Sequence, residues 1–420
     1  MQPLPEVRKQ VLARCPELAP RRVAVRDAHG CVVAEPVAAP SDLPGFPSSA
    51  MDGFAVRARD VAAATEDLPV VLEVVETVMA GQPPTKVVGP RQATRIMTGA
   101  PVPDGADAIV PVEVSRFSDG TRDEDETVAV LAPSVEGQHL RGAGDDAPAG
   151  SVVAPARTVV TAPLVGVLTA VGATEVAVVP PPRVGVISTG DELVEAPRGL
   201  ARGQIHDSNR PMLLAAVAEA GAEPVDLGWV RDAPDAVAAA LRAGAHRCDL
   251  MLTSGGVSMG EADVVKMVLE RMGDPRWFQI AIRPAKPFAL ATVDGVPLLG
   301  LPGNPVSALV SFEVLARPAI RQMAGHAELD RPRVTVRAGA GLDRRSDGKL
   351  HLVRVRLVAG PAGAVAEPVP AQGSHQLVAT AGATGLALLP DGPGVAEGAP
   401  VEVIVLDPAA ALRAGVASPA

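Results

Sequence analysis

Between residues 183 and 272 the sequence alternates between short apolar strand patterns and helical patterns. The predicted elements are, in order, a strand at 183–188, a helix that begins at Ser208 or Asn209, a strand at 225–230, a helix at 234–245, a strand that ends at residue 252 and a helix at about 261–272. A series of this kind folds into a parallel sheet with helices on both faces. We therefore predict an α/β multidomain chain whose central domain contains a doubly wound, mostly parallel sheet.

The regions on either side of this series have a different pattern. The chain has 420 residues, which is too long for one hydrophobic core, so several domains are expected. Before residue 181, V-V-L-E-V-V-E-T-V and A-D-A-I-V-P-V-E-V are strand-like runs, and from about residue 330, R-V-T-V-R and H-L-V-R-V-R-L predict a small all-β module. The segment 407–420 is rich in Ala, Gly and Pro and is predicted to be a disordered tail.

Composition limits the class of partner. The formal net charge is −10 and aromatic residues make up 2% of the chain, which argues against a nucleic-acid partner. Cys15, Cys31 and Cys248 are far apart and form no C-x-x-C pair, which fits a reducing compartment. No apolar run approaches the length of a membrane span, and the N-terminus lacks the apolar core of a signal peptide. We expect a soluble cytoplasmic protein with no membrane partner and a small anionic ligand.

The segment 249–263, D-L-M-L-T-S-G-G-V-S-M-G-E-A-D, combines a buried strand, a glycine turn and a helix start. Gly255 and Gly256 allow a ligand to approach the backbone closely, and Ser258 can open the helix. Unpaired N–H groups at a helix start attract phosphate, whereas the carboxylate of Asp263 would repel it. A divalent cation between the two is the economical explanation, and a plain strand-to-helix turn is the alternative.

The same letters contain G-V-S-M-G at 256–260, the pattern of a serine nucleophile elbow. A hydrolase of that type needs an acid and a histidine downstream of the serine, and His326, His351 and His375 are available. It also needs an oxyanion segment of the His-Gly-Gly-Gly type, which the sequence lacks. A serine hydrolase is therefore the weaker alternative for this segment.

Three loops of the central domain follow predicted strands. Residues 189–192, 254–258 and 303–307 each come directly after an apolar strand pattern. In open parallel sheets, ligands bind outside the carboxyl ends of the strands. Asn304 and Pro305 are also typical of the cap and first position of a helix. We expect the three loops to meet at one crevice.

Six segments in chain order carry a resemblance to a known family. They are S-A-M-D-G-F-A-V (49–56), R-I-M-T-G-A-P-V-P-D-G-A-D-A-I-V (95–110), V-I-S-T-G-D-E-L (186–193), H-D-S-N-R-P-M-L (206–213), T-S-G-G-V-S-M-G-E-A-D (253–263) and L-P-G-N-P-V-S-A (301–308). Together they closely resemble the MoeA family, the molybdopterin molybdenumtransferases, which are related to the E domain of gephyrin. The resemblance extends from the N-terminal helix to Q-G-S-H at 372–375 and excludes only the tail.

The resemblance implies an activity and an architecture. The implied reaction is insertion of molybdate into adenylylated molybdopterin, with Mg²⁺-dependent release of AMP. The implied domains are an elongated linker domain at 1–45 plus 140–180, an inserted β domain at 46–139, an α/β domain at 181–328 and a C-terminal β-barrel-like domain at 329–406. Family members are homodimers whose cleft is shared between subunits, and contact with the upstream adenylyltransferase is also implied.

The resemblance also assigns site residues. The implied catalytic carboxylates are Asp52, Asp146, Glu192 and Asp263, with Asp263, Glu192 and Asp52 as Mg²⁺ ligands. The predicted substrate-binding residues are Thr189, Ser254, Gly255, Gly256, Ser258, Arg283, Lys286, Pro302, Asn304, Ser307, Arg354 and Ser374. Of these, Arg283 and Lys286 would clamp phosphate, and Arg354 and Ser374 match family positions that face the partner's cleft.

Some residues depart from the family pattern. Gln279 and Arg283 stand where the family often has lysines, and Phe54 and His206 stand where it has tyrosines. The loss of a charge at Gln279 implies either a weaker hold on the anion or the use of another basic residue such as Arg95. A molybdopterin adenylyltransferase and a gephyrin-like scaffold remain the alternative functions.

Overall fold

The computed structural model describes residues 1–118, 126–256, 264–272, 274–361 and 363–416, and it divides into several sheets, each with its own core. The elements before residue 180 are α1 (Leu4–Arg14), β1 (Arg21–Ala24), β2 (Val32–Val33), β3 (Val37–Ala38), β4 (Ser48–Ser49), β5 (Gly53–Val56), α2 (Ala58–Val61), β6 (Val70–Val78), β7 (Gln92–Ile96), β8 (Ala108–Pro111), β9 (Ser115–Ser118), β10 (Thr127–Val130), β11 (Leu140–Arg141), β12 (Val152–Ala154), α3 (Ala162–Ala170) and β13 (Glu175–Val179). None of the helices in the described ranges has the length and apolar character that a membrane crossing needs.

The inserted region forms a six-stranded sheet in the order β8-β5-β7-β6-β10-β9. Alternate residues of its strands bury one face around Phe54, Leu72 and Val128. A separate small sheet, β1-β13-β2, joins the segments that precede and follow this insertion. The β-rich character of residues 46–139 is therefore confirmed, and the domain boundaries themselves stay a prediction.

The N-terminal helix α1 packs against the central domain. Helix α1 was assigned to the linker domain, but Val7, Val11 and Cys15 are buried in the hydrophobic core of the central domain, together with Ile320 and Met323. The i, i+4, i+8 spacing of the three N-terminal residues places them on one helical face, which the central domain covers. Helix α1 therefore contacts the central domain, and its assignment to the linker domain stays a prediction.

The central domain contains the predicted alternation of strands and helices. Its elements are β14 (Arg183–Thr189), β15 (Leu193–Val194), β16 (Ile205–His206), α4 (Asn209–Glu219), β17 (Glu223–Val230), α5 (Pro234–Ala245), β18 (Leu250–Ser254), α6 (Val264–Met272), β19 (Arg276–Gln279), β20 (Ile282–Arg283), β21 (Pro287–Val293), β22 (Val296–Leu301), α7 (Pro305–Ser311) and α8 (Arg317–Met323). The main sheet has the order β17-β14-β18-β22-β21-β19. Strands β17, β14, β18 and β22 are parallel, which confirms the doubly wound fold, and β21 and β19 extend the sheet as antiparallel strands.

The segment 278–282 is divided between two sheets. Strand β19 ends at Gln279 in the central sheet, whereas β20 pairs with a strand of the C-terminal domain, Ile282 opposite Leu350 and Arg283 opposite His351. An apolar run of this kind predicts a strand, but it does not show which sheet contains the partner strand. This split moves Arg283 away from the central sheet.

The C-terminal domain is a closed barrel. Its elements are β23 (Arg333–Ala338), β24 (Leu342–Asp343), β25 (Leu350–Gly360), β26 (Gly363–Pro368), α9 (Leu377–Ala381), β27 (Gly385–Leu389), β28 (Gly394–Val395), β29 (Pro400–Val405) and α10 (Pro408–Arg413). Pairing runs through β25, β26, β23, β29 and β27 and returns from β27 to β25, so five strands close on themselves. The predicted β-barrel-like domain is confirmed.

Disorder from residue 407 onward is wrong for the described part of the tail. The side chain of Asp407 accepts a hydrogen bond of 3.0 Å from the backbone N–H of Ala410 and caps α10. Ala411 and Ala414 are buried against the barrel core. Small side chains let this helix approach the barrel closely, so an Ala-rich composition supports docking here.

Gly53 gives a first testable prediction, because it lies beside Asp52 in a tightly packed strand. A Cβ atom on Gly53 would lie 2.1 Å from the carbonyl oxygen of Val110 in the neighbouring strand. Replacing Gly53 with Ala should therefore lower the free energy of unfolding by about 1–3 kcal/mol. Denaturant titration measures the change. Gly199→Ala is the matched control, because nothing lies within 4 Å of its added Cβ, and equal midpoints for the two variants would contradict the prediction.

Candidate functional site

A cavity of about 330 Å³ lies at the carboxyl ends of the parallel strands. Strand β14 pairs with β17 on one side and β18 on the other, so the strand order reverses between β14 and β18. This is the position at which open α/β sheets bind ligands. The cavity is lined by Thr189, Glu192, Leu193, Ile205, His206, Asp207, Ser208, Asn209, Ser254, Gly255, Gly303, Asn304, Pro305 and His375. The predicted meeting of the three loops is confirmed for their described residues.

Asn209 joins these loops through its side chain. Its Nδ2 atom donates hydrogen bonds to Ser254 Oγ at 2.8 Å and to the carbonyl oxygen of Gly303 at 2.7 Å. Asn209 Oδ1 and Thr253 Oγ1 are both buried, and neither has a hydrogen-bond partner among the described residues. A buried acceptor without a partner is costly, so Oδ1 is a candidate for a ligand or water hydrogen bond. The prediction that Ser208 or Asn209 begins the helix is confirmed, although Ser208 makes no side-chain cap.

Glycines keep the floor of the cavity free of side chains. Gly255 and Gly256 have φ angles of +93° and +72°, in the left-handed region that favours glycine. A Cβ on Gly303 would lie 3.7 Å from the Cα of Gly255, so the loops after β18 and β22 are in contact through their backbones. Ser258 and Asp263, which follow in the same segment, lie outside the described residues.

Glu192 is the predicted carboxylate that the structure brings to the cavity. It is exposed on a segment, 190–206, whose parallel strands β15 and β16 are pinned by a hydrogen bond from Ile205 N to Glu192 O at 2.9 Å. Trp229 Nε1 donates to Gly190 O at 2.7 Å and fixes the start of this segment. The carboxylate of Glu192 can therefore reach a ligand without the movement of a strand.

Asp232 contacts Asp191, the residue before Glu192, and the sequence interpretation did not single it out. Its backbone N–H donates to Asp191 Oδ1 at 3.3 Å, and the backbone N–H of Asp191 donates to Asp232 Oδ2 at 3.4 Å. Asp232 follows strand β17 as Glu192 follows strand β14. The rule that ligands lie beyond strand carboxyl ends, applied to every strand, would have found it.

Arg210 is a second missed residue and is buried beneath the cavity. Its Nη1 donates to both carboxylate oxygens of Asp226, at 2.6 and 2.7 Å, its Nε to Asp207 Oδ2 at 3.0 Å, and its Nη2 to Glu195. Burial alone would lower the pKa of Arg210, but the hydrogen bonds to Asp226 and Asp207 raise it above its ordinary value. The Asp207 carboxylate also accepts from Ser188 Oγ at 3.1 Å. Arg210 thus ties helix α4 to two strands and to the segment that carries Glu192.

Asp52 and Asp146 are exposed and do not line the cavity of the single chain. Asp52 Oδ1 accepts from Thr98 N and Thr98 Oγ1, both at 2.7 Å, and these hydrogen bonds lower its pKa. The backbone N–H of Asp146 donates to Leu43 O at 3.0 Å. Among the described residues of this chain, no group of three or more His, Cys, Asp or Glu side chains could hold a metal ion. A single chain therefore gathers only part of the predicted carboxylate set.

The predicted phosphate clamp lies elsewhere. Arg283 is exposed and lines a second cavity, of about 410 Å³, between β20 and the barrel, together with Arg345 and His351. Lys286 is exposed in the same connection and lines neither cavity. The reason is the transfer of β20 to the barrel sheet, which carries Arg283 with it.

Arg354 is buried in the barrel and donates hydrogen bonds to the loop 373–376. The side chain is 1% exposed, and its guanidinium donates to Gln376 O at 3.0 Å, to Thr380 Oγ1 at 2.7 Å and to Gly373 O at 3.1 Å. Burial lowers its pKa. In the single chain the guanidinium is directed at these barrel groups and not at the cavity, so a direct contact with substrate stays a prediction. Arg354 instead holds the loop 373–376.

The loop 373–376 lies against the cavity of its own chain. The backbone N–H of Val306 donates to Ser374 O at 3.1 Å, and His375 lines the cavity. Ser374 was expected to face the partner's cleft, and in this chain it docks the barrel onto helix α7. His375 was considered only as a possible partner of a serine nucleophile.

The remaining predicted residues flank the cavity. Thr189 and Asn304 line it, whereas Pro302 and Ser307 are buried behind it. Asn304 stands at the cap position of α7 but makes no side-chain capping hydrogen bond. His206, the replacement for a family tyrosine, is exposed and also lines the cavity.

Three family models match consecutive parts of the chain. They are the MoeA N-terminal region (domain I and II) at residues 2–172, the probable molybdopterin binding domain at 185–322 and the MoeA C-terminal region (domain IV) at 337–406. The cavity described above lies in the second of these matches, and the loop 373–376 lies in the third.

Curated relatives match over most of the chain. Molybdopterin molybdenumtransferase 2 of Mycobacterium tuberculosis is 41% identical over 378 residues, which cover 89% of this chain and 91% of the relative. The molybdopterin molybdenumtransferase of Nostoc sp. is 38% identical over 338 residues, with 78% of this chain and 76% of the relative covered.

Solved structures agree with the fold. The molybdopterin biosynthesis MoeA protein of Pyrococcus horikoshii superimposes with a TM-score of 0.79 at 29% identity, over 96% of this chain and 99% of that one. A second structure of MoeA from the same organism gives a TM-score of 0.75 at 26% identity, over 96% of this chain and 100% of that one.

Proposed function

The chain belongs to the MoeA family of molybdopterin molybdenumtransferases, enzymes of molybdenum cofactor biosynthesis, and from this premise we propose that it inserts molybdate into adenylylated molybdopterin and releases AMP in a Mg²⁺-dependent reaction. The observation that carries the proposal is the cavity at the strand-order reversal, with a glycine floor and Glu192 at its wall. A volume of about 330 Å³ lies within the usual range for small-molecule sites.

The cavity offers groups that suit a phosphorylated ligand. The hydroxyl groups of Thr189 and Ser254 and the amide of Asn304 lie at its wall, where they can donate to phosphate oxygens. Gly255 allows close approach of the ligand to the backbone. We propose that these groups position the anhydride between molybdopterin and AMP, the bond that breaks when AMP leaves.

The donor chemistry at the cavity fits Mg²⁺. Mg²⁺ prefers oxygen ligands and is usually bound by one or two carboxylates together with substrate phosphates and waters. Glu192 supplies one carboxylate, and Asp263, outside the described residues, would supply another. When bound, the ion would neutralise phosphate charge as AMP departs. The carboxylate that does not bind it would orient the attacking oxygen of molybdate or water.

A homodimer is part of the proposal. Asp52 and Asp146 are exposed and do not line the cavity of one chain. Pairing of two chains would bring them to it and complete the predicted carboxylate set, with Asp52 as a further Mg²⁺ ligand. We propose a cytoplasmic location, molybdopterin and molybdate as substrates, and contact with the adenylyltransferase that supplies adenylylated molybdopterin.

The test is AMP release from adenylylated molybdopterin with molybdate and Mg²⁺. Glu192→Gln keeps the size of the side chain but removes its charge, and we expect AMP release to fall by about 10²-fold or more. Glu397→Gln, on an exposed turn away from the cavity, should leave the rate unchanged. Chelation of Mg²⁺ should stop the reaction, and added Mg²⁺ should restore it.

The alternatives make different predictions in the same assay. A molybdopterin adenylyltransferase would consume ATP in the presence of molybdopterin, and AMP release would not depend on molybdate. A gephyrin-like scaffold would bind a partner protein without turnover. Loss of molybdate dependence in a folded protein would overturn the proposed reaction.

A further inference from the structure

The barrel reaches into the cavity of the central domain through the loop 373–376. Ser374 O accepts a hydrogen bond of 3.1 Å from Val306 N, so the first turn of α7 is fixed to the barrel. His375 is the residue of this loop that lines the cavity. One wall of the cavity is therefore supplied by a loop of the barrel, which lies about 70 residues beyond the loop after β22 in sequence.

The backbone of this loop is held by hydrogen bonds within the barrel. Arg354 donates to Gly373 O and Gln376 O, and Gly373 N donates to Gln376 Oε1 at 2.6 Å. Gln372 accepts from Arg354 N at 3.1 Å and donates to Arg354 O at 2.9 Å and to Val369 O at 3.0 Å. The backbone position of His375 is thus set by a buried guanidinium and two amides, and a loop that is already ordered loses little backbone entropy on binding.

The ring of His375 is exposed and makes no hydrogen bond with any described residue. It faces a cavity whose other polar groups include the hydroxyl groups of Thr189 and Ser254. An imidazole N–H is a good donor to a phosphate oxygen, and more so when the ring is protonated. A rigid loop that ends in one unpartnered donor is suited to ligand recognition.

We propose that His375 binds a phosphate group of the ligand in the cavity of its own chain, and that Arg354 is the positioning residue that holds it there. This inference rests on the proposed function, because that function places a nucleotide phosphate in this cavity. It assigns the C-terminal barrel a direct part in substrate binding. It also explains why Arg354 is buried: its guanidinium holds the loop that carries His375.

The test uses the full-length protein with AMP as the probe and adenosine as the ligand that lacks phosphate. His375 ring signals are identified in NMR spectra by their loss in His375→Ala. We expect these signals to shift with AMP and to stay unchanged with adenosine. His246, exposed at the end of α5, is the internal control and should not respond to either ligand.

Affinity gives the second readout. His375→Ala should weaken AMP binding about tenfold, the size expected for one hydrogen bond to a charged group. His375→Gln, which keeps an N–H donor, should recover part of the loss. Arg354→Lys should broaden or displace the His375 signals and weaken AMP binding, because an ammonium group cannot make all three guanidinium hydrogen bonds.

Equal AMP affinity in wild type and His375→Ala would overturn the inference. Failure of the wild type to bind AMP at millimolar concentration would overturn it as well. Neither result decides the proposed function, which depends on molybdate-dependent AMP release and is measured separately. A failed AMP-release assay together with an AMP-dependent shift of His375 would instead reject the reaction and retain the phosphate contact.

Discussion

Glu313→Ala is expected to lower the free energy of unfolding by about 3–5 kcal/mol. The Glu313 side chain is 4% exposed, and its two carboxylate oxygens accept from Arg331 Nε at 2.7 Å and Arg331 Nη2 at 2.9 Å. Burial alone would lower the pKa of Arg331, but these hydrogen bonds raise it above its ordinary value. Burial and the nearby Arg331 lower the pKa of Arg317 to about 10. Removal of Glu313 therefore leaves Arg331 with only the more exposed Glu219, at 3.2 Å, as a carboxylate partner among the described residues, and it takes an opposite charge away from Arg317.

Denaturant titration at neutral pH measures this loss. Glu402→Ala is the matched control, because Glu402 forms an exposed ion pair with Arg333 at 3.4 Å and should cost less than about 1 kcal/mol. Arg331 also donates to Leu406 O at 3.0 Å, so the same contact joins the central domain to the end of the barrel. A Glu313→Ala midpoint no lower than that of Glu402→Ala would refute the interpretation.

Arg210→Ala is expected to reduce AMP release by about 10²-fold and to destabilise the protein by about 3 kcal/mol. The variant leaves the carboxylate of Asp207, which is 2% exposed, without its ion-pair partner. It also frees Glu195, and with it the segment 190–206 that presents Glu192. Misplacement of a catalytic group by about 1 Å can cost this much rate.

The conservative variant Arg210→Lys distinguishes a positioning role of Arg210 from a purely structural one. Arg210→Lys keeps one charge but cannot reach three carboxylates, so stability should recover more than AMP release does. Thermal unfolding and the separate values of kcat and KM provide the readouts. Arg356→Ala, at an exposed pair with Glu367, is the control and should change neither. Parallel recovery of rate and stability in Arg210→Lys would show that Arg210 only supports the fold.

The central domain could be predicted because its signals are local. Strand and helix periods gave the bounds 234–245 for a helix, and the structure reproduces them in α5 (Pro234–Ala245). The cavity followed from one topological rule, that the ends of parallel strands meet. The hydroxyl and glycine residues at those ends were therefore found without any knowledge of distant contacts.

The missed features depend on tertiary contacts that the local sequence pattern does not show. The local sequence around Arg354 does not indicate whether its side chain is exposed or buried. The fold of the loop 373–376, which accepts its hydrogen bonds, determines that it is buried. The packing of α1 against α8 joins residues separated by more than 300 positions. Arg210 was noted only as part of a family segment. Its role was missed because its three carboxylate partners lie in different parts of the central domain. Local pattern predicts which elements form, and tertiary packing selects their neighbours.

The pairing of β20 with the barrel sheet means that the central domain and the barrel are not independent modules. The central chain leaves its own sheet after Gln279, and Leu350 N donates to Ala281 O at 2.9 Å before the chain returns at Pro287. A chain cut at residue 329 would keep Ile282, which is buried against the barrel, and lose the strand that covers it. Such a fragment would carry an open, apolar edge prone to self-association. The barrel and the central domain are therefore not separable by a single cut between them, because each needs the strand pairing between β20 and β25.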